Sequence, residues 1–95
     1  MKTPEGKLKD QIKAFLKERG AYYYMPVPSG YSTPTVDFVG CYHGFFFAIE
    51  AKAPGQKPTS RQIATIRTMQ GAGAWAGWWD DFDKFKSDFL FWIAP

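Results

Sequence analysis

Hydrophobic positions recur along this chain with two different periods. Between Thr3 and Gly20, the apolar residues Leu8, Ile12, Phe15 and Leu16 fall at i, i+4, i+7 and i+8. That spacing predicts a helix with one buried stripe. Thr3 suits its cap, Pro4 its first position and Glu5 its positive end, and Gly20 is the expected left-handed stop. Lys7, Lys9, Lys13 and Lys17 lie largely off the stripe, as a solvated face or as phosphate contacts.

The period then changes. Residues 21–27 (A-Y-Y-Y-M-P-V) predict a strand whose hydrogen bonding ends at Pro26 and Pro28. A polar loop, 28–35, leads into V-D-F-V-G-C-Y and F-F-F-A-I-E-A-K, two apolar runs around His43-Gly44. Such a dipeptide suits a two-residue hairpin turn, because Gly accepts a positive φ. A turn-rich loop follows Lys52, then a helix capped by Thr59 or Ser60 that runs to Gly71, with Ile63, Ile66 and Met69 or Gln70 on its faces. Residues 74–79 (A-W-A-G-W-W) predict a fourth strand, and Asp80 is the expected cap of a last helix with a Phe82, Phe85, Phe89 and Leu90 stripe. The order is α-β-β-β-α-β-α, an α/β (α+β) arrangement: one mixed sheet of three or four strands, with a right-handed crossover through the second helix.

The hairpin register carries the candidate chemistry. With His43-Gly44 as the loop, Val39 faces Ala48 and Asp37 faces Glu50. These are the only acids between Arg19 and Asp80, and Lys52 shares their face by the two-residue alternation of a strand. Like charges directly opposite on a sheet repel by a few tenths to ~1 kcal/mol, and a cation between them reverses that cost. Two carboxylates with an amine beside them therefore read as a divalent-metal site. A three-residue loop or a bulge would instead turn Asp37 to the other face. The bland alternative is a pair of solvated strand ends with Lys52 neutralising Glu50. Both strands are apolar on both faces, which predicts central, covered strands.

Composition sharpens the picture in three places. Ninety-five residues are expected to form one domain, and nine Phe, five Tyr and four Trp give it a dense aromatic core with apolar surface to spare. The net charge of +3 is mild, but its distribution is uneven: Lys52, Lys57, Arg61 and Arg67 surround the two isolated acids. That pattern suits a polyanion held near a metal. Cys41 cannot form an internal disulfide and is expected to be a small buried hydrophobe in a reducing compartment. One Cys and one His exclude a structural zinc site. No signal peptide and no membrane span are expected: Lys2 is followed by a charged helix, and no apolar run reaches spanning length. The tail F-L-F-W-I-A-P is strongly apolar and either packs on the sheet or joins a second subunit.

Asp37 followed by Glu50-Ala51-Lys52 on the next strand resembles the motif of the PD-(D/E)XK nuclease superfamily, whose core has the order α-β-β-β-α-β. Over residues 3–86 the chain also resembles a stand-alone VRR-NUC domain of phage or bacterial type. The residues that carry this are Thr3-Pro4-Glu5, Gly20-Ala21-Tyr22-Tyr23, Thr35-Val36-Asp37, Glu50-Ala51-Lys52, Ala53-Pro54-Gly55 and Ser60-Arg61-Gln62. One departure is Val36, where the family has Pro before the aspartate; the Gly that precedes it in the family is also absent.

The resemblance implies a restriction-endonuclease-like core with a C-terminal helix, spanning 1–95 as a single domain. By it, Asp37 and Glu50 are metal ligands, with the Ala51 carbonyl completing the shell, and Lys52 is the catalytic lysine. Glu5 is the helix acid that reaches the site, Gln62 the polar residue from the second helix, and Tyr23 a weaker candidate. The implied cofactor is Mg²⁺ or Mn²⁺, which prefer oxygen ligands. Lys57, Arg61, Arg67, Lys9 and Tyr31 are the candidate DNA contacts. The implied activity is a largely sequence-independent DNA endonuclease selective for branched or flap structures, in the cytoplasm of a bacterial or phage-infected cell. A domain this small cannot wrap a duplex, so a homodimer is expected. The rival readings are a DNA-binding module with a vestigial site and an oligomerising structural protein.

Overall fold

The structure, a computed structural model, describes residues 2–27, 30 and 33–95. Seven elements follow in order: α1 (Pro4–Glu18), β1 (Tyr22–Tyr24), β2 (Phe38–Tyr42), β3 (Phe45–Ala51), α2 (Ser60–Gly71), β4 (Trp75–Trp79) and α3 (Phe82–Ile93). The strands form one sheet in the order β1-β2-β3-β4. The first three are antiparallel, and β4 joins β3 in parallel. This is the mixed sheet that the sequence predicts.

Local chemistry explains most element ends. Thr3 caps α1 by accepting the Gly6 N–H, and Pro4 takes the first turn, where a missing N–H costs nothing. At the other end Gly20 has φ +78°, the Gly20 N–H reaches the Lys17 carbonyl and the Ala21 N–H reaches that of Leu16. These two bonds form a Schellman stop. β1 is shorter than the seven-residue run the sequence suggests, because pairing with β2 stops at Tyr24, ahead of Pro26, which has no N–H to donate. α3 is capped by Asp81, which accepts the Lys84 N–H, and not by Asp80 as expected. Asp80 is engaged elsewhere, accepting the Gly55 N–H of the β3–α2 loop.

The hairpin has the expected register. Phe38 pairs with Ile49, Val39 with Ala48, and Tyr42 with Phe45. His43 and Gly44 both take positive φ, 49° and 86°, which matches the right-handed twist of the flanking strands.

Alternation along the strands divides the sheet into two faces. One carries Phe38, Phe47, Ile49 and Trp79, and packs with Leu8, Ile12, Phe15 and Leu16 of α1 and Phe85 and Phe89 of α3. Phe89 is the hub, within ring-contact distance of Phe15, Tyr42, Phe47, Trp75, Phe85 and Trp92. The apolar tail packs back on the sheet, with Trp92 stacked on Trp75 at 4.6 Å, while the Phe91 ring is 85% exposed.

The other face is covered only in part. Ile66 of α2 packs on Val36 and Ala48, with Val39, Met69, Ala76 and Trp78 around them. Toward the hairpin end this face is open: Tyr22, Tyr24, Cys41 and Phe46 are exposed. Cys41 is therefore not the buried hydrophobe expected, and β2 and β3 are not covered along their full length. The reason is reach: α2 packs chiefly along β4 and leaves the β1–β2 side of its face bare.

Candidate metal centre

Asp37 and Glu50 come together at the covered end of this second face. Asp37 immediately precedes β2, and its Oδ2 accepts the Ala51 N–H at 2.9 Å, so the carboxylate is tied to the end of β3. Glu50 lies within β3, is only 4% exposed, and has the Asp37 carboxyl as a hydrogen-bonding neighbour. Val36 holds the approach to Asp37: it is 4% exposed and packs on Ala48 and Ile66. The side chain that stands where the resemblance has proline thus anchors this segment by burial.

The electrostatics of the pair follow from that burial. Desolvation, then the hydrogen bond and the negative charge of Asp37, push the Glu50 carboxyl up to about 8, against the opposing charges of Lys52 and Lys9. Glu50 is the one buried charged residue among those described. A carboxyl in this state holds a proton near neutrality until a cation replaces it.

Lys9 of α1 reaches the same place. Its Nζ lies 3.4 Å from Asp37 Oδ1 and 3.3 Å from Glu5 Oε2, one helical turn away. Partial burial works against its charged form, but the charge of Asp37 and hydrogen bonding to Glu5 and Asp37 outweigh it and raise its pKa. Glu5 thus stands at the margin of the site, linked to Asp37 through Lys9. Sequence alone placed Lys9 among surface phosphate contacts. The i, i+4 spacing of Glu5 and Lys9 was legible, but the meeting of that helix face with Asp37 was not.

The remaining candidates divide. Lys52 is half-buried near enough to Glu50 to oppose its pKa shift, and its backbone N–H donates to the Trp79 carbonyl. Gln62 closes a capping box with Thr59: its Oε1 accepts the Thr59 N–H at 2.9 Å, while its own N–H donates to Thr59 Oγ1. This cap is the hydrogen bonding the structure gives Gln62. Lys57, Arg61 and Arg67 are exposed on α2 and the loop before it. Tyr23 packs edge-on against Phe38 in the core, so its place is structural, while Tyr22 and Tyr24 face solvent. Tyr31 lies outside the described residues.

Among the described residues no group of three or more His, Cys, Asp or Glu side chains is close enough to hold a metal ion. The donors that do meet are two carboxylates, hard oxygen ligands of the kind Mg²⁺ and Mn²⁺ take. Mg²⁺ is commonly held by one or two carboxylates with substrate phosphates completing its shell. The donor set fits such an ion.

No family model matches the sequence, and no curated protein matches it. A solved structure titled "VRR_NUC domain" superposes on the chain with a TM-score of 0.79 at 19% identity, covering 99% of this chain and 100% of that one. No helix among the described residues is long and apolar enough to cross a membrane. With four strands in one mixed sheet, three helices around it and this superposition over nearly its whole length, the chain has the fold of a VRR_NUC domain.

Proposed function

We propose that this chain, taken as a single domain over 1–95, is a metal-dependent DNA endonuclease that hydrolyses phosphodiester bonds with little sequence preference. The observation that carries the reading is the buried Glu50 beside Asp37, two carboxyl groups held together with Lys9 paired to Asp37 and the charge of Lys52 within reach of Glu50. A fold stabilised by packing alone gains nothing from such a pair. The superposed VRR_NUC domain supports the same reading.

Asp37 and Glu50 would hold Mg²⁺ or Mn²⁺, with the Ala51 carbonyl as a further oxygen donor, while Glu5, expected among the ligands, stays at the margin as the partner of Lys9. When bound there, such an ion supplies positive charge at the scissile phosphate and acidifies water. Lys52 stabilises the negative charge that develops on the phosphate and helps orient the attacking water. The Ala51 N–H fixes the Asp37 carboxylate, so one ligand is held in place before substrate arrives. Lys57, Arg61 and Arg67 neutralise backbone phosphates, which gives affinity without sequence readout. Gln62 acts from the first turn of α2, and Tyr31 is a further candidate DNA contact.

The substrate is branched or flap DNA. The exposed Tyr22 and Tyr24 share the sheet face of the acid pair, and aromatic side chains there can stack unpaired bases. A homodimer would place two such sites on one substrate. The setting is the cytoplasm of a bacterial or phage-infected cell.

The test compares wild type with Lys52→Ala in Mg²⁺ or Mn²⁺ on hairpins, flaps, junctions and plain duplexes. Wild type is expected to cut, with branched substrates preferred, and the variant to lose at least a hundredfold in rate, on the order of one lost transition-state contact. Equal cutting by both would remove Lys52 from catalysis. Salt-sensitive DNA retention without cleavage in either metal would favour a vestigial, binding-only domain.

A further inference from the structure

Lys9 is the one basic side chain that forms an ion pair with Asp37 among the described residues, and it does so from a different element of the fold. Its ammonium bridges Asp37 and Glu5 at 3.4 and 3.3 Å, and its charge also reaches Glu50. The side chain is 27% exposed, well below the solvated lysines: those of Lys2 and Lys84 are 66% and 70% exposed. It therefore stands where positive charge is needed between carboxylates, the same requirement that a divalent ion meets.

From this juxtaposition we infer that Lys9 is a built-in counter-ion of the acid pair, which competes with the divalent cation for Asp37 and swings back to Glu5 when the cation binds. The inference rests on the metal-site reading above and adds to it a residue that sets how tightly the cation is held. Three features support it. Lys9 contacts Asp37 at Oδ1, while Oδ2 is tied to the Ala51 N–H, so a ligand seeking the free side of the carboxylate meets the ammonium first. Glu5 lies one turn toward the N-terminus and already binds the same nitrogen, so the displaced lysine keeps a partner without a backbone change. The lysine side chain has four rotatable bonds and needs no helix movement to shift between the two acids. Its effect is to hold cation affinity low until DNA phosphates add their own oxygens to the shell.

The experiment measures Mn²⁺ affinity by calorimetry on the DNA-free protein at about 0.15 M salt, where charges beyond about 8 Å are largely screened. Lys9→Met is expected to bind Mn²⁺ roughly three- to tenfold more tightly than wild type, the range one partly screened ion pair allows. Lys9→Arg should return to wild-type affinity, and Lys13→Met and Lys17→Met, on the same helix, should leave it unchanged. The rise in melting temperature on adding Mn²⁺ should also be larger for Lys9→Met than for wild type, and circular dichroism in EDTA checks that the variant is folded. Binding by Lys9→Met alone, with none by wild type, would be the strongest support. Equal affinity of wild type and Lys9→Met would overturn the competition while leaving the metal site intact. Weaker binding by Lys9→Met, or equal tightening by all three Met variants, would also overturn it. No binding by wild type or Lys9→Met would overturn both this inference and the metal-site reading.

Discussion

Asp37 and Ala51 are joined by a hydrogen bond that holds an acidic side chain against the end of the neighbouring strand. Oδ2 of Asp37 accepts the Ala51 N–H at 2.9 Å, and Oδ1 is left facing Lys9. A carboxylate at a frayed strand end would be free to turn into water. Here the β3 backbone fixes it beside Glu50, whose carboxyl pKa is raised first by burial and then further by Asp37.

Two substitutions separate the structural part of Asp37 from its charge. Asn keeps an acceptor oxygen for the Ala51 N–H, so Asp37→Asn should melt within a few degrees of wild type in EDTA and yet show no Mn²⁺ binding by calorimetry. Asp37→Ala removes the acceptor and strands the amide, and urea denaturation should register a loss of about 1–2 kcal/mol. Unchanged Mn²⁺ binding by Asp37→Asn would remove it from the ligand set.

Glu50 makes the metal-free protein pH-sensitive. Its folded pKa is raised from the ordinary 4.5 to about 8, so between those values the folded state holds a proton that the unfolded chain has lost. Stability in EDTA should therefore fall as pH rises from about 5 to 8, and level off above. Glu50→Gln should flatten that slope. Cation binding has the opposite sense: it expels the proton, so Mn²⁺ affinity should climb through the same window. Calorimetry in two buffers of different ionisation enthalpy would count the proton released, and a flat profile would contradict the buried, protonated Glu50.

Gly40 is needed by the sheet for a steric reason. A Cβ there would lie 2.0 Å from the Tyr22 carbonyl oxygen, 2.7 Å from the Phe47 ring and 2.8 Å from the Tyr23 Cα. The first and last are backbone atoms that cannot turn aside, so β1 would have to lift off β2. Gly40→Ala should cost about 3 kcal/mol or more in thermal or urea unfolding, at the upper end of overpacking effects. Increased proteolysis confined to residues 21–27 would locate the damage in β1.

Phe89 and Phe91 test the sidedness of the tail. Phe89 is fully buried and touches six aromatic rings, so Phe89→Ala should lose about 3–5 kcal/mol. Phe91, 85% exposed, should tolerate Ser within about 0.5 kcal/mol. If Phe91→Ser instead shifts the oligomeric state seen by light scattering, the outward ring is part of an interface between copies of this chain.

Local pattern made much of this architecture legible. The α1 stripe, the His43-Gly44 turn and the register from Phe38–Ile49 to Tyr42–Phe45 all follow from spacing, because helix and strand periods and a two-residue turn leave few alternatives. Adjacency of Asp37 and Glu50 followed from the same register. What pattern missed depended on contacts between distant segments. Asp80 was expected as a cap and is drawn to Gly55 instead, leaving Asp81 to cap α3. Cys41 looked buried because apolar neighbours flank it, but coverage depends on where α2 lies, and α2 lies along β4.

The sequence by itself determined the elements, the hairpin and the pairing of two acids, since each is decided by residues within a few positions or one turn of each other. Only the tertiary structure decided that Lys9 joins those acids, that Glu50 is desolvated, and that one sheet face stays partly bare. Burial and through-space charge arise when α1, α2 and the sheet are packed together. Until that packing exists, a lysine four residues after a glutamate is only one turn of a solvated helix.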